Sequence, residues 1–189
     1  MGLSLVTAPT SNPISLVEMK EHLRIVVDDN NDDNYLDDIQ RAATSLFTAL
    51  TQYQVMQATY LLSLDEFPYY EIEIPIIPLI SVSTLLYYTS ASDTITLEEN
   101  TDFYVSKSDR SAKIVPVSSW PTAYDRPDAV RITYIAGNAS NIPDNLLHCI
   151  RLLVSNAYEN RQPVVVGSRA EELPLSLKLM IDTFKRESF

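Results

Sequence analysis

Gln54-Val55-Met56-Gln57-Ala58-Thr59-Tyr60-Leu61-Leu62-Ser63-Leu64 is where the hydrophobic period of this chain changes. Upstream, Leu36, Ile39, Ala43, Leu46, Phe47 and Leu50 recur at spacings of three and four, which predicts a helix with those residues on its core face. Asp37, Arg41, Thr44, Thr48 and Thr51 fall on the opposite face. From Gln54 the period becomes two. Gln57 to Leu64 is rich in strand formers, and Asp65-Glu66-Phe67-Pro68 ends the run. A chain that passes from helix to strands and back to helix belongs to the α+β class.

Working outward toward the start, Pro13-Ile14-Ser15-Leu16-Val17-Glu18 predicts a helix opening. Ser15 caps it and Glu18, three residues on, reaches back to the cap. That helix runs to Leu23-Arg24, and the acidic stretch Asp28-Asp29-Asn30-Asn31-Asp32-Asp33-Asn34 leads into the second. Residues 1–12 read as an N-terminal arm and 13–53 as helices. Residues 54–137 form a β-region. In it Glu71-Ile72-Glu73-Ile74 alternates, and Pro75 and Pro78 confine the next segment to a sheet edge or a connecting arm. Further strands fit Ser81–Thr89, Thr94–Leu97, Phe103–Ser106, Lys113–Val117 and Val130–Ala136, the last ending at Gly137. Short strands with polar turns predict a small antiparallel sheet or a barrel-like insert.

A third helix spans 143–161, opened by Pro143-Asp144, with Leu146, Ile150, Leu153, Val154 and Ala157 inward and His148, Arg151, Ser155 and Glu159 outward. Pro163 stops it. Residues 162–189 read as a C-terminal arm and helix: apolar Val164-Val165-Val166, a polar loop from Ser168 to Glu172, and a short helix from Pro174 to Phe184. The expected architecture is a bundle of about four helices with a β insert, in one domain without repeats.

Composition narrows the function. A chain of 189 residues with 46% hydrophobic content suits a packed domain. Its 25 acids against 14 bases give a net charge of −11, the wrong sign for gripping phosphates. Cys149 is the only cysteine, so no internal disulfide or cysteine-based zinc site is possible, and its neighbours suggest a half-buried structural thiol. The N-terminal residues lack the basic and apolar blocks of a signal peptide, Val6 breaks a myristoylation pattern, and no apolar run is long enough to span a bilayer. A soluble protein made in the cytosol is expected.

No catalytic, cofactor or metal site is expected either. A calcium loop begun at Asp28 would need glycine where Asp33 stands and glutamate where Ile39 stands. Asp65-Glu66, Glu71 with Glu73, and Glu98-Glu99 are adjacent acids at strand ends, without the opposed environments of an acid–base pair. His22 and His148 have no partner at a ligand or triad spacing, and three glycines cannot build a phosphate loop. Tyr69-Tyr70 and Tyr87-Tyr88 suit sheet packing, a subunit interface or a sugar-stacking platform.

Several landmarks, in order, resemble the head–tail connector (adaptor, or head-completion) proteins of tailed bacteriophages and prophages. Ser15 to Arg24 followed by acids is similar to that family's opening helix, and Gln57 to Pro68 to its first strand. Ile74-Pro75-Ile76-Ile77-Pro78-Leu79-Ile80-Ser81-Val82 resembles its proline-punctuated arm. Asp102-Phe103-Tyr104-Val105, Ser119-Trp120-Pro121, Val130 to Gly137 and Tyr158-Glu159-Asn160-Arg161 follow in the family's order. The family often continues past this glycine with another glycine or an aromatic residue, where Asn138-Ala139 stands in this chain.

The resemblance implies a non-enzymatic virion component, made in the host cytoplasm and resident at the head–tail interface. It implies a homo-oligomeric ring of about a dozen subunits beneath the portal protein, carrying the next head-completion or tail protein. DNA would pass through its channel without specific binding. Pro75, Pro78, Tyr87, Tyr88, Val164, Val165, Val166 and Phe184 are the candidate contact residues. The rival readings are a carbohydrate-binding β-module of a phage tail or surface protein, and a carboxylate-dependent hydrolase.

Overall fold

Strands and helices collect into separate units. The computed structural model describes residues 1–108, 110–138, 142–160 and 175–185. The described chain forms two compact units: a β unit from residues 1–10 and 56–138, and a helical unit from residues 11–55, 142–160 and 175–185. The elements separate in this way because strands satisfy their backbone groups with strands while each helix needs only an apolar stripe to pack. The α+β class and the four helices with antiparallel sheets match the expectation.

In the helical unit, α1 spans Leu16–Leu23. The Ser15 side chain accepts from the Glu18 N–H and the Glu18 carboxylate accepts from the Ser15 N–H, the capping box read from the sequence. Arg24 ends the helix in the left-handed region at φ 59°. The second helix, α2, spans Asp33–Thr51 and buries Leu36, Gln40, Ala43, Phe47 and Thr51. Leu46 and Leu50, expected in the core, are 46% and 43% exposed. The buried stripe therefore lies about one residue away from the one that hydrophobicity alone selects. Two polar residues hold it there. Gln40 Nε2 donates to the Ile14 carbonyl at 3.0 Å, and Thr51 Oγ1 donates to the Phe47 carbonyl at 2.8 Å. Their donors are used, which lowers the cost of burial, although the Gln40 amide oxygen is buried without a partner among the described residues.

The third helix, α3, spans Asp144–Glu159 and buries Leu146, Cys149, Ile150, Leu153 and Val154. Cys149 is fully buried rather than half-buried, and Ala157 is only half-buried. Tyr158 Oη donates to Asp32 Oδ2 at 2.7 Å, tying the end of α3 to the N-cap residue of α2. The last helix, α4, spans Leu175–Asp182. Leu177 and Ile181 are buried, and the Phe184 ring sits edge-on to Phe47 and Tyr53 at 5.6 and 5.7 Å. Phe184, expected to reach a partner, thus packs within its own helical unit.

Among the described residues the β unit contains eight strands: β1 Gly2–Thr7, β2 Ala58–Leu64, β3 Ile72–Glu73, β4 Leu79–Tyr88, β5 Thr94–Leu97, β6 Phe103–Lys107, β7 Ala112–Pro116 and β8 Val130–Ala136. They form an antiparallel five-stranded sheet, β1-β2-β8-β4-β5, and an antiparallel three-stranded sheet, β3-β7-β6. Residues 2–7, expected to lie in an arm, are an edge strand. They alternate Leu3, Ser4, Leu5 and pair with the buried strand β2, where their backbone groups find partners. In the centre of the larger sheet, Tyr60 and Leu62 of β2 face Tyr134 and Ile132 of β8, which face Val82 and Leu85 of β4. Tyr60 stacks on Tyr134 with centroids 5.7 Å apart. Gly137 follows β8 at φ 123°, where a Cβ would stand 2.5 Å from the Met56 carbonyl oxygen, so only glycine fits.

Candidate interaction surfaces

The structure brings together two pairings that sequence spacing did not suggest. His22 Nε2 lies 3.0 Å from Ser155 Oγ, although 133 residues separate them. Ser155 Oγ donates its hydrogen to the Arg151 carbonyl at 2.9 Å, so the imidazole N–H is the donor to the serine oxygen. That arrangement is opposite to a base drawing a proton from a nucleophile. Burial, then the charge of Arg151 and the influence of His148, hold the His22 pKa below its ordinary value. A triad would instead need a carboxylate bonded to the imidazole.

The other pairing is in the acidic stretch. Lys20 is 2% exposed, and its ammonium donates to the Val27 carbonyl at 3.0 Å and Asn30 Oδ1 at 3.1 Å. It also pairs with Asp33 Oδ1 at 2.6 Å. Three donors meet three oxygens, so an internal cation occupies the place where a bound one would sit. Among the described residues no group of three or more His, Cys, Asp or Glu could hold a metal ion.

Cys149, Asp65 and Glu71 are held by burial or by structural partners. Burial pushes the Cys149 thiol up to about 11, so at neutral pH it is protonated and a poor nucleophile. The Asp65 carboxylate accepts from the Asp128 N–H at 3.0 Å and lies 3.7 Å from the Met1 amino group. Glu71 pairs with Lys113 at 2.5 Å. No helix among the described residues is long and apolar enough to cross a membrane.

What the β unit does present is aromatic surface beside a groove. The groove, about 460 Å³, is lined by Tyr87, Ile95, Leu97, Asp102, Val117 and Trp120, among others. Trp120 stacks on Phe67 at 4.9 Å and 10°, and its indole N–H donates to the Tyr70 carbonyl at 2.7 Å. Tyr69 and Tyr70, 86% and 75% exposed, meet at 85°. Rings at right angles give no common plane on which a sugar could stack, whereas exposed tyrosines suit the centre of a protein interface.

The sequence-selected contact residues divide by burial. Pro75 and Tyr87 are buried, and Tyr87 also lines the groove. Pro75 lies inside because Ile74 to Leu79 is an apolar connection from the smaller sheet to the larger one, and Tyr87 because it shares the buried face of β4 with Leu85. Pro78 follows a cis peptide bond in that connection and is half-buried. Tyr88 is half-buried with the Arg126 guanidinium 4.0 Å over its ring. Val164, Val165 and Val166 lie outside the described residues. Sequence reading missed the groove and the exposed apolar strand β1, although the alternation of Leu3, Ser4 and Leu5 carries a short strand signal.

No family model matches the chain, and no curated protein does. Solved structures do. A chain in the virion of a native gene transfer agent (GTA) particle is similar to it with a TM-score of 0.81 and 20% identity. Chains in the neck of an empty GTA particle computed with C6 symmetry and in the neck of a native one computed with C12 symmetry give 0.79 and 0.76, also at 20% identity. In each case the match covers 100% of this chain and 97% of that chain. At that identity the likeness establishes the fold: from end to end, this chain is built like a subunit found in such particles.

Proposed function

We propose that the protein is a structural subunit of a phage-like neck, resident in the virion, where a ring of about a dozen copies joins head to tail. The observation that carries this reading is the end-to-end likeness to neck subunits, 100% of this chain against 97% of that one. The ring lies beneath the portal protein and receives the next head-completion or tail protein on its other side. The C6 and C12 symmetry with which those necks were computed supports a cyclic assembly. Catalysis has no part in it. His22, Asp65 and Glu71 are engaged by structural partners, and the Cys149 thiol is held protonated by burial.

A net charge of −11 fits a channel wall that does not hold DNA. Phosphates meet no cluster of cations there, so the duplex slides through without specific binding. The exposed Tyr69 and Tyr70 beside Trp120, together with Tyr88, Pro78 and Val164 to Val166, are the proposed contacts with portal or tail. Deleting the gene from its phage or prophage tests the reading. Filled heads and free tails that fail to join, rescued by the gene in trans, are expected. Normal tailed particles from the deletion would overturn it.

A further inference from the structure

We infer that β1 is the surface through which one copy grips the next, an inference that rests on the ring reading above. Every residue of β1 is exposed, and Leu3, Leu5 and Val6 are 42%, 52% and 58% exposed. Their register explains why this matters. Leu3 pairs with Leu62, which is fully buried, and Leu5 pairs with Tyr60, 8% exposed. Residues directly opposite on neighbouring strands share a face. The core face of the larger sheet therefore continues onto β1, where its side chains are no longer buried. A shift of register between Leu5 and Thr7 leaves Val6, itself exposed, without a partner on β2.

Other sheet edges carry the usual defences against association. In the smaller sheet, β3 is two residues long, flanked by Glu71 and Pro75, and β6 ends in Lys107. In the larger sheet, β5 is four residues long, with Asp93 before it and Glu98-Glu99 after it. By contrast β1 has six residues, and no charged side chain occurs from Gly2 to Val17. Electrostatics then selects the occupant. Copies that each carry −11 repel one another, which favours close contact where neither brings charge. An uncharged apolar edge is such a place, and it also offers backbone groups for strand addition. In a closed ring of more than two subunits the contact is heterologous, so β1 of one copy meets a different strip of the next, never its β1.

The test places the photo-crosslinker p-benzoylphenylalanine at position 5 in the full chain, expressed in the producing cell, and irradiates assembled particles. The expected result is a covalent adduct between two copies of this chain whose far end maps outside residues 2–7. An adduct only to another protein, an adduct joining position 5 to position 5, or particles that carry the chain but give no adduct would overturn the β1 interface and leave the ring reading standing. Particles lacking the chain in their necks would remove both. A Leu5→Asp variant adds a second readout. It should melt within a few degrees of wild type, since the side chain is exposed, yet yield at least tenfold fewer joined particles. An undiminished yield would overturn the inference.

Discussion

Lys20 neutralises the acidic stretch from inside the fold, and its removal has a calculable consequence. Without the ammonium, Asp33, the Val27 carbonyl and Asn30 lose a shared donor in a place water reaches poorly. Lys20→Met should cost about 2 kcal/mol in urea denaturation, as for a partly buried charge left without its partner. His22 acts in the opposite sense. Its folded pKa lies below the ordinary 6.5, so the unfolded chain takes up the proton first as pH falls. Stability should decline from about pH 6.5 downward and level off once the folded form is also protonated. His22→Gln should flatten that part of the slope, read as the difference in melting temperature between pH 7 and pH 5. For Cys149, a disulfide reagent at pH 8 should react at least ~100-fold more slowly with native than with denatured protein, because burial removes both access and thiolate.

At the level of elements, strands are more legible in the sequence than helical faces. Strand limits from β5 to β8 are marked by turn residues and period-two alternation, and they lie within a residue or two of the expected positions. The face of α2 is hidden because Gln40 and Thr51 look polar in sequence, and only their backbone partners make burial tolerable. Two leucines measure the difference. Leu153→Ala, 5% exposed, should cost ~2–5 kcal/mol. Leu46→Ala, 46% exposed, should stay within about 0.5 kcal/mol. Equal effects from the two variants would overturn this helical phasing. Gly137→Ala should lower thermal stability by more than ~2 kcal/mol, since both the positive φ and the Met56 carbonyl oppose a methyl group. The contact residues are the hardest to read. Proline and tyrosine mark interfaces and interiors alike, and Pro75 and Tyr87 are interior.

On the scale of the whole molecule, charge governs association. If copies meet through uncharged strips against mutual repulsion, raising ionic strength from about 0.05 to 0.5 M should strengthen self-association, because the Debye length shrinks to a few ångströms. Sedimentation velocity would register the change, and weakening with salt would point instead to ion pairs between subunits. The helix-to-strand border between the units is hard to read in the sequence, because residue 55 leads straight to residue 56 without a proline, glycine or charge run. The borders near residues 10 and 139 are punctuated, by Pro9 and Pro13 and by Gly137 and Pro143.

The position of Trp120 gives those two units separate optical signatures. It is the only tryptophan in the chain, and it sits in the β unit, stacked on Phe67 with its N–H bonded to Tyr70. Indole emission during unfolding therefore follows the β unit, while ellipticity at the helical minimum is dominated by α1 to α4. Superimposed curves from the two signals would mean that the units melt as one cooperative block. Separated curves would show which half of the subunit yields first.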